Sequence, residues 1–428
     1  MKEKFIKSTI ILIIGGAITK FLGMFIRIVM TRVVGVDGIG LYMLIFPTFS
    51  LFMTISQLGF PIAISKLVAE DKHNNKNVVF SIIPFSLILN LALMLIIILI
   101  APYLANNLLQ DSRCYYPILA IALVLPFDSL SSILRGYFFG KQKMIPHVIS
   151  NVFEQIVRLV LIVLVIPSLL GKGLVVAVSG LILVNLVSEF SSILVLFLFL
   201  PRNFKITKSD IKPDKSNIKE VLNVALPTTG GRLIGSIGYF FEPILLTTAL
   251  LYCGYSNNFI IREYGVIEGY VMPLLLLPGF FTNAISSALI PVISKAYANG
   301  NKKYVKRKLR QAIYISLSIG IPITIILMIN PNYFLKLIYN SEHGGTYLRF
   351  IAPIFLIYYI QSPLASVLQS INKAKEMMFD NLKGILVKCF FLFILSLFKI
   401  GLFGFLISMM LNIIVTTYSH YRNIKKSL

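Results

Sequence analysis

Hydrophobic runs of roughly twenty residues or more recur twelve times along this chain, each about long enough to cross ~30 Å of hydrocarbon as a helix. Inside lipid, backbone groups find no water, so such a run must satisfy its own hydrogen bonds as a helix or close into a barrel. The period-two alternation of a transmembrane barrel is missing, which leaves helices. With a mean hydropathy of +0.84 and only 13% charged residues, the chain cannot fold as a soluble globule, for which about 25% charged residues is usual.

Basic residues orient these runs. Of the 40 lysines and arginines, 28 lie in the two termini and alternate connections or within about a turn of them, 7 lie likewise in or beside the opposite connections, and 5 lie deeper inside the runs. Lysine and arginine are retained on the cytoplasmic side, so the bias predicts twelve spans with both termini cytoplasmic in a multi-pass cell-membrane protein. The net charge of +23 is then accounted for by orientation and by attraction to anionic headgroups, and no nucleic-acid partner is expected. The first run follows three lysines like a signal peptide, but it lacks a small-x-small cleavage site and continues to Val33; it reads as a retained span.

The spans are expected to include Phe5–Val33 and Gly40–Val68 as the first two, Tyr264–Ala296 as the eighth and Phe379–Phe398 as the eleventh. After the sixth, the charged stretch from Arg202 to Glu220 bisects the chain and predicts a cytoplasmic linker over 201–219, between an N-terminal lobe at 1–200 and a C-terminal lobe at 220–428. Internal repetition supports two lobes of six spans. Pro47, Pro61 and Ser65-Lys66 return as Pro278, Pro291 and Ser294-Lys295 at offsets of 229 to 231 residues, and the segment around Arg135 is echoed around Gln369. Both repeats start on the same side, which predicts a parallel pseudo-repeat about an axis along the membrane normal. The expected fold is all-α, with two six-helix lobes around a central cavity.

Charges inside the spans each need a reason, because one at mid-bilayer costs about 2.5–3.5 kcal/mol on insertion scales. In the first span, Gly16, Lys20, Gly23, Arg27 and Thr31 form a single helical stripe; in the seventh, Thr228, Arg232, Gly235, Tyr239 and Glu242 form another with the same basic-x-x-Gly core. Two readings are open. The cations line a water-filled cavity that receives an anionic headgroup, or they form ion pairs between helices while the glycines serve close packing. Glu154 and Arg158, four apart with the acid first, suit mutual neutralisation. Glu189 shares a polar stripe with Asn185 and Ser192, and could hold a coupling cation or bond between helices. Lys388 is near enough to a span end to snorkel, while Asp128 and Glu268 lie too near the edges of their spans to assign. Thus Lys20, Arg27 and Arg232 are candidate substrate-binding cations, and Glu154, Arg158, Glu189 and Glu242 candidate coupling or ion-pair residues.

The sequence lacks a phosphate-binding G-x-x-x-x-G-K-[ST], an H-E-x-x-H and a nucleophile elbow, so neither ATP hydrolysis nor another enzymatic activity is expected. Three scattered cysteines and four unclustered histidines offer no metal site, and no cofactor is expected beyond a coupling Na⁺ or H⁺.

The segments G-L-Y-M-L-I-F-P (Gly40 to Pro47) and L-G-F-P-I-A-I-S-K-L-V-A-E (Leu58 to Glu70) strongly resemble the second helix of the polysaccharide-transport branch of the multidrug/oligosaccharidyl-lipid/polysaccharide flippase superfamily. K-F-L-G-M-F-I-R (Lys20 to Arg27) is similar to the first helix of the stage V sporulation protein B-like flippases and, more distantly, of the lipid II flippases. The resemblance implies alternating access and, as cargo, an undecaprenyl-diphosphate-linked oligosaccharide or peptidoglycan precursor. It also implies functional importance for Lys20 and Arg27, with membrane lipid and envelope glycosyltransferases or polymerases as candidate partners. The alternative on the same fold is a cation-coupled multidrug exporter. Many such relatives have fourteen helices where this sequence has twelve, which bears on any lipid-tail groove built from the additional two.

Overall fold

The computed structural model describes residues 2–70, 75–200 and 215–428, and every regular element among the described residues is helical. The long elements are α1 (Lys2–Gln57), α3 (Asn75–Tyr103), α4 (Tyr115–Gly140), α5 (Met144–Leu170), α6 (Leu174–Leu198), α7 (Lys215–Tyr252), α10 (Leu277–Ala298), α11 (Lys302–Ile329), α13 (Gly345–Ser370), α14 (Ala374–Ser396) and α15 (Phe403–Ser427). Shorter helices are α2 (Phe60–Glu70), α8 (Asn257–Val266), α9 (Met272–Leu275) and α12 (Pro331–Tyr339).

Ten helical segments among the described residues are long and apolar enough to cross a membrane. One of them, Ile14–Glu70, covers most of the first expected span and all of the second, because α1 is really two limbs broken at Gly35 (φ 68°, ψ −172°). The expected eleventh span is α14, which Asp380, Lys383 and Lys388 make too charged to count by composition alone. The ten segments, the second limb and α14 make up the twelve expected spans.

Two spans are less continuous than expected. The second is interrupted at Leu58 and Gly59, both at positive φ, just ahead of Pro61, which cannot donate the backbone bond a continuous helix requires. The eighth begins as α8, passes through a π-helical turn at Ile267–Val271 and the short α9, and becomes a spanning helix only from Leu277. Pro273 and Pro278 sit at the starts of α9 and α10, where the missing N–H costs nothing.

Backbone contacts divide the chain into Met1–Phe240 and Phe241–Leu428. The boundary falls inside α7; of the expected 201–219 linker, 201–214 lie outside the described residues. The reason is the length of α7: its first half buries Val221 and Ala225 in a core with Phe60, Ile64, Ile82, Leu134 and Phe138 of the first unit. In the second unit, Ile293, Val305, Leu364, Val367, Leu368 and Ile424 form the corresponding core from α10, α11, α13 and α15.

Lipid tails are as apolar as leucine, so these helices are held by close packing and by hydrogen bonds between them. In the first unit, Gly136 and Gly140 let α4 approach α2. A Cβ at Gly140 would lie 2.8 Å from the Ser65 carbonyl oxygen, and one at Gly136 would lie 3.0 Å from Pro61 Cα. Nearby, Ser56 Oγ donates to Asn90 Oδ1 (2.6 Å) and Asn90 Nδ2 donates to the Ser86 carbonyl (2.8 Å), tying α1 to α3.

Candidate functional site

The charged residues of the first unit separate into a buried cluster and an open face. The cluster centres on Arg135, a turn from the end of α4. Its Nη2 donates to Glu154 Oε2 of α5 at 2.6 Å, to Glu189 Oε2 of α6 at 3.2 Å and to Ser192 Oγ at 3.0 Å. Arg158 Nη2 donates to the other oxygen of Glu154 at 2.7 Å and to Ser188 Oγ at 3.4 Å. Glu154 and Glu189 are both 5% exposed. Two guanidinium groups and two carboxylates therefore neutralise one another across three helices, which is what allows them to be buried at all.

A third acid, Asp128, lies two turns before Arg135 on α4 and is 3% exposed. Both its carboxylate oxygens accept from a single donor, Gln57 Nε2, at 3.2 and 2.9 Å. The oxygen of that same carboxamide accepts from Arg232 Nη2 of α7 at 3.3 Å. A line of contacts thus leads from an exposed arginine to a buried acid through one glutamine at the end of α1.

The open face carries the predicted cations. Lys20 and Arg232 are exposed, and neither forms an ion pair among the described residues. Arg27 is half-buried and donates to Met43 Sδ at 3.4 Å, joining the two limbs of α1. The glycines of both stripes border open space: a Cβ at Gly16 or Gly235 would meet nothing within 4 Å, and one at Gly23 only Gln155 Oε1 at 4.0 Å. Gly15, one residue from the stripe, is the packing glycine, since a Cβ there would collide with the Val148 side chain on α5. The stripes are therefore not close-packing seams, although Arg27 and Thr31 at the inner end of the first are progressively covered.

Glu242, the last member of the α7 stripe, belongs to the second unit and faces a different environment. It is 2% exposed, accepts from Tyr264 Oη at 3.2 Å and is ion-paired with Lys388 of α14. Lys388 also lies 5.4 Å from the centroid of the Phe405 ring. The expectation that Lys388 snorkels to the interface is thus corrected: a carboxylate within reach on α7 holds it inside the unit, where the two charges cancel. Glu268 is 8% exposed in the π-helical turn.

Sequence reasoning finds the Glu154–Arg158 pair but misses two buried groups. Arg135 reads in the sequence as one more basic residue of a cytoplasmic end, although it lies five residues inside α4. Asp380 is fully buried, accepts from Asn423 Nδ2 at 2.7 Å and lies 3.5 Å from Lys383 Nζ. Its spacing from Gly384 and Lys388, at four and eight residues, is the signal that could have found it.

Against known proteins, residues 5–297 match the family model described as polysaccharide biosynthesis protein, and residues 268–394 match the MatE model. The chain is 36% identical over its full length to stage V sporulation protein B of Bacillus subtilis (strain 168), covering 85% of that protein. It is 26% identical to lipid II flippase MurJ of the same organism, over 91% of this chain and 76% of that one. Among solved structures, the inward-facing conformation of a multidrug resistance MATE family transporter of the MOP superfamily superposes with a TM-score of 0.74 at 18% identity, covering 95% of each chain. That likeness establishes the polytopic helical fold.

Proposed function

This chain belongs to the polysaccharide biosynthesis protein family of the multidrug/oligosaccharidyl-lipid/polysaccharide flippase superfamily, and we propose that it is a multi-pass membrane transporter that flips a polyprenyl-diphosphate-linked oligosaccharide or peptidoglycan precursor by alternating access. It acts as a carrier and not as an enzyme. The observation that carries this reading is the division of its intramembrane cations. Arg135, Arg158 and Lys388 are each joined to a carboxylate, while Lys20 and Arg232 stand on an open, glycine-bordered face without one among the described residues. A diphosphate leaving the interface loses hydration, and fixed cations at an otherwise apolar site are the groups that replace it. The prenyl chain has no such need, since it stays in lipid.

The relatives named stage V sporulation protein B and lipid II flippase support a lipid-linked cargo. The basic-residue bias supports insertion in the cytoplasmic membrane with both termini inside. The exporter alternative calls for acids facing open space, and Glu154, Glu189 and Glu242 are each engaged by a basic side chain.

The test is deletion of the gene, mass spectrometry of the lipid-linked intermediates that accumulate, and complementation. Lys20→Ala and Arg27→Ala are expected to leave the precursor on the inner leaflet while membrane levels of the protein stay unchanged. Full flipping by the double alanine variant would overturn the assignment.

A further inference from the structure

We propose that Asp128 is a proton-binding site which, through the carboxamide of Gln57, controls whether Arg232 is available to an anionic headgroup.

Of the three buried acids in this part of the first unit, two receive arginines and one does not. Glu154 is joined to Arg135 and Arg158, and Glu189 to Arg135. Asp128 has no ion-pair partner among the described residues; its two oxygens share one amide donor. A buried carboxylate without a cation is the costliest charge in such a cluster, and a proton is the smallest ligand that removes the cost.

The groups around Asp128 do not supply another way out. Glu189 from α6 and Glu154 from α5 are like charges, and Arg135 on its own helix is already committed to both of them. From α3, Ser86 and Asn90 bond to each other and to Ser129 and Ser56. On α2, Lys66 and Glu70 lie 4.0 Å apart, with Lys66 largely exposed. From α1 comes Gln57, and behind it Arg232 of α7.

Gln57 makes the link directional. A guanidinium only donates, so the atom facing Arg232 must be the amide oxygen, which leaves the NH₂ group for Asp128. In that arrangement Asp128 accepts with both oxygens, as an ionised carboxylate does. When Asp128 takes a proton from water, its new O–H needs an acceptor, and the carboxamide turns by half a rotation to offer its oxygen. The NH₂ group then faces the guanidinium, donor against donor, and Arg232 is released. Ionised Asp128 holds Arg232 and protonated Asp128 frees it. By reciprocity, an anion that captures Arg232 promotes proton uptake at Asp128. Gln57 and Asp128 are positioning residues in this scheme, and the proton is a ligand of the same unit that carries the open cationic face. The link itself rests on geometry alone; only the identity of the anion rests on the flippase reading.

The experiment uses the full chain, labelled with ¹⁵N-arginine in lipid nanodiscs. The Arg232 Nε–H signal is identified by its loss in Arg232→Lys. In the unsubstituted protein that signal should move with pH between two limits. In Asp128→Asn it should stay at the low-pH limit, and in Gln57→Met it should no longer respond to pH although Asp128 is intact. A pH response in Asp128→Asn equal to that of the unsubstituted protein overturns the proposal, as does an undiminished response in Gln57→Met. A second arm measures binding of a short-chain polyprenyl diphosphate to the same samples. Affinity should fall by up to about tenfold per pH unit as pH rises, and the slope should vanish in Asp128→Asn. Loss of the second arm with the first intact refutes the anion assigned to this face and leaves the proton link standing.

Discussion

Arg135→Gln removes the group on which the buried cluster turns. In the protein, Arg135 serves Glu154 at 2.6 Å and Glu189 at 3.2 Å, with its own side chain 18% exposed and the side chains of both acids 6% exposed. The two acids suffer unequally. Glu154 keeps Arg158 at 2.7 Å, whereas Glu189 loses its ion-pair partner. Breaking a buried pair by deleting one partner costs about 3–5 kcal/mol, because the other charge stays buried without compensation. Here one acid is orphaned and not two, so a single loss of that size is expected, reduced by whatever Glu189 recovers by taking up a proton. Adding Glu189→Gln should then restore most of the stability, since Glu154 and Arg158 remain as a balanced pair and the neutral amide beside them needs no counter-charge. The measurement is reversible unfolding of the purified full chain in mixed micelles with increasing denaturing detergent, for the unsubstituted protein, both single variants and the double. A coupling energy of about 2 kcal/mol or more between the two sites is expected, near the upper part of the range for residues in contact. A double variant no more stable than Arg135→Gln alone would refute the reasoning.

Two further outcomes are expected from other parts of the molecule. In the second unit, Lys388→Met leaves Glu242 buried without its cation and should destabilise the protein by about 3–5 kcal/mol in the same titration, with most of the loss recovered by adding Glu242→Gln. Among the glycines, Gly140→Ala drives a methyl group toward the Ser65 carbonyl and the Val68 side chain and should cost about 1–3 kcal/mol, whereas Gly235→Ala, which meets nothing, should unfold at an unchanged detergent concentration.

The spans, their orientation and one ion pair are legible in the sequence because each of these is local. A run of apolar residues is a helix in lipid whatever its neighbours do, and Glu154 and Arg158 meet because four residues make roughly one turn. The contacts that decide the role of each charge are not local. Arg135 and Glu189 are 54 residues apart, and Glu242 and Lys388 are 146 apart. No periodicity within a single helix announces such a meeting. The glycine stripes are visible as stripes, but only the packing of the folded helices distinguishes Gly16 and Gly235, beside open space, from Gly15, Gly136 and Gly140, which hold helices together. The interruptions at Leu58–Gly59 and at 267–276 are signalled in the sequence only by Pro61, Pro273 and Pro278, because the other residues around them are as apolar as the spans they divide.

Gly35 carries a consequence of its own. At φ 68° it occupies a region that residues with a Cβ enter only under strain, yet a Cβ placed there would strike nothing within 4 Å. What keeps this position a glycine is therefore backbone torsion and not crowding. The limb bearing Lys20 and Arg27 meets the second limb at a joint made by one residue's backbone, while Gly15 against Val148 and Arg27 against Met43 hold it in its present pitch. Two torsion angles could redirect a pair of positive charges while every hydrogen-bonded turn on either side stays wound.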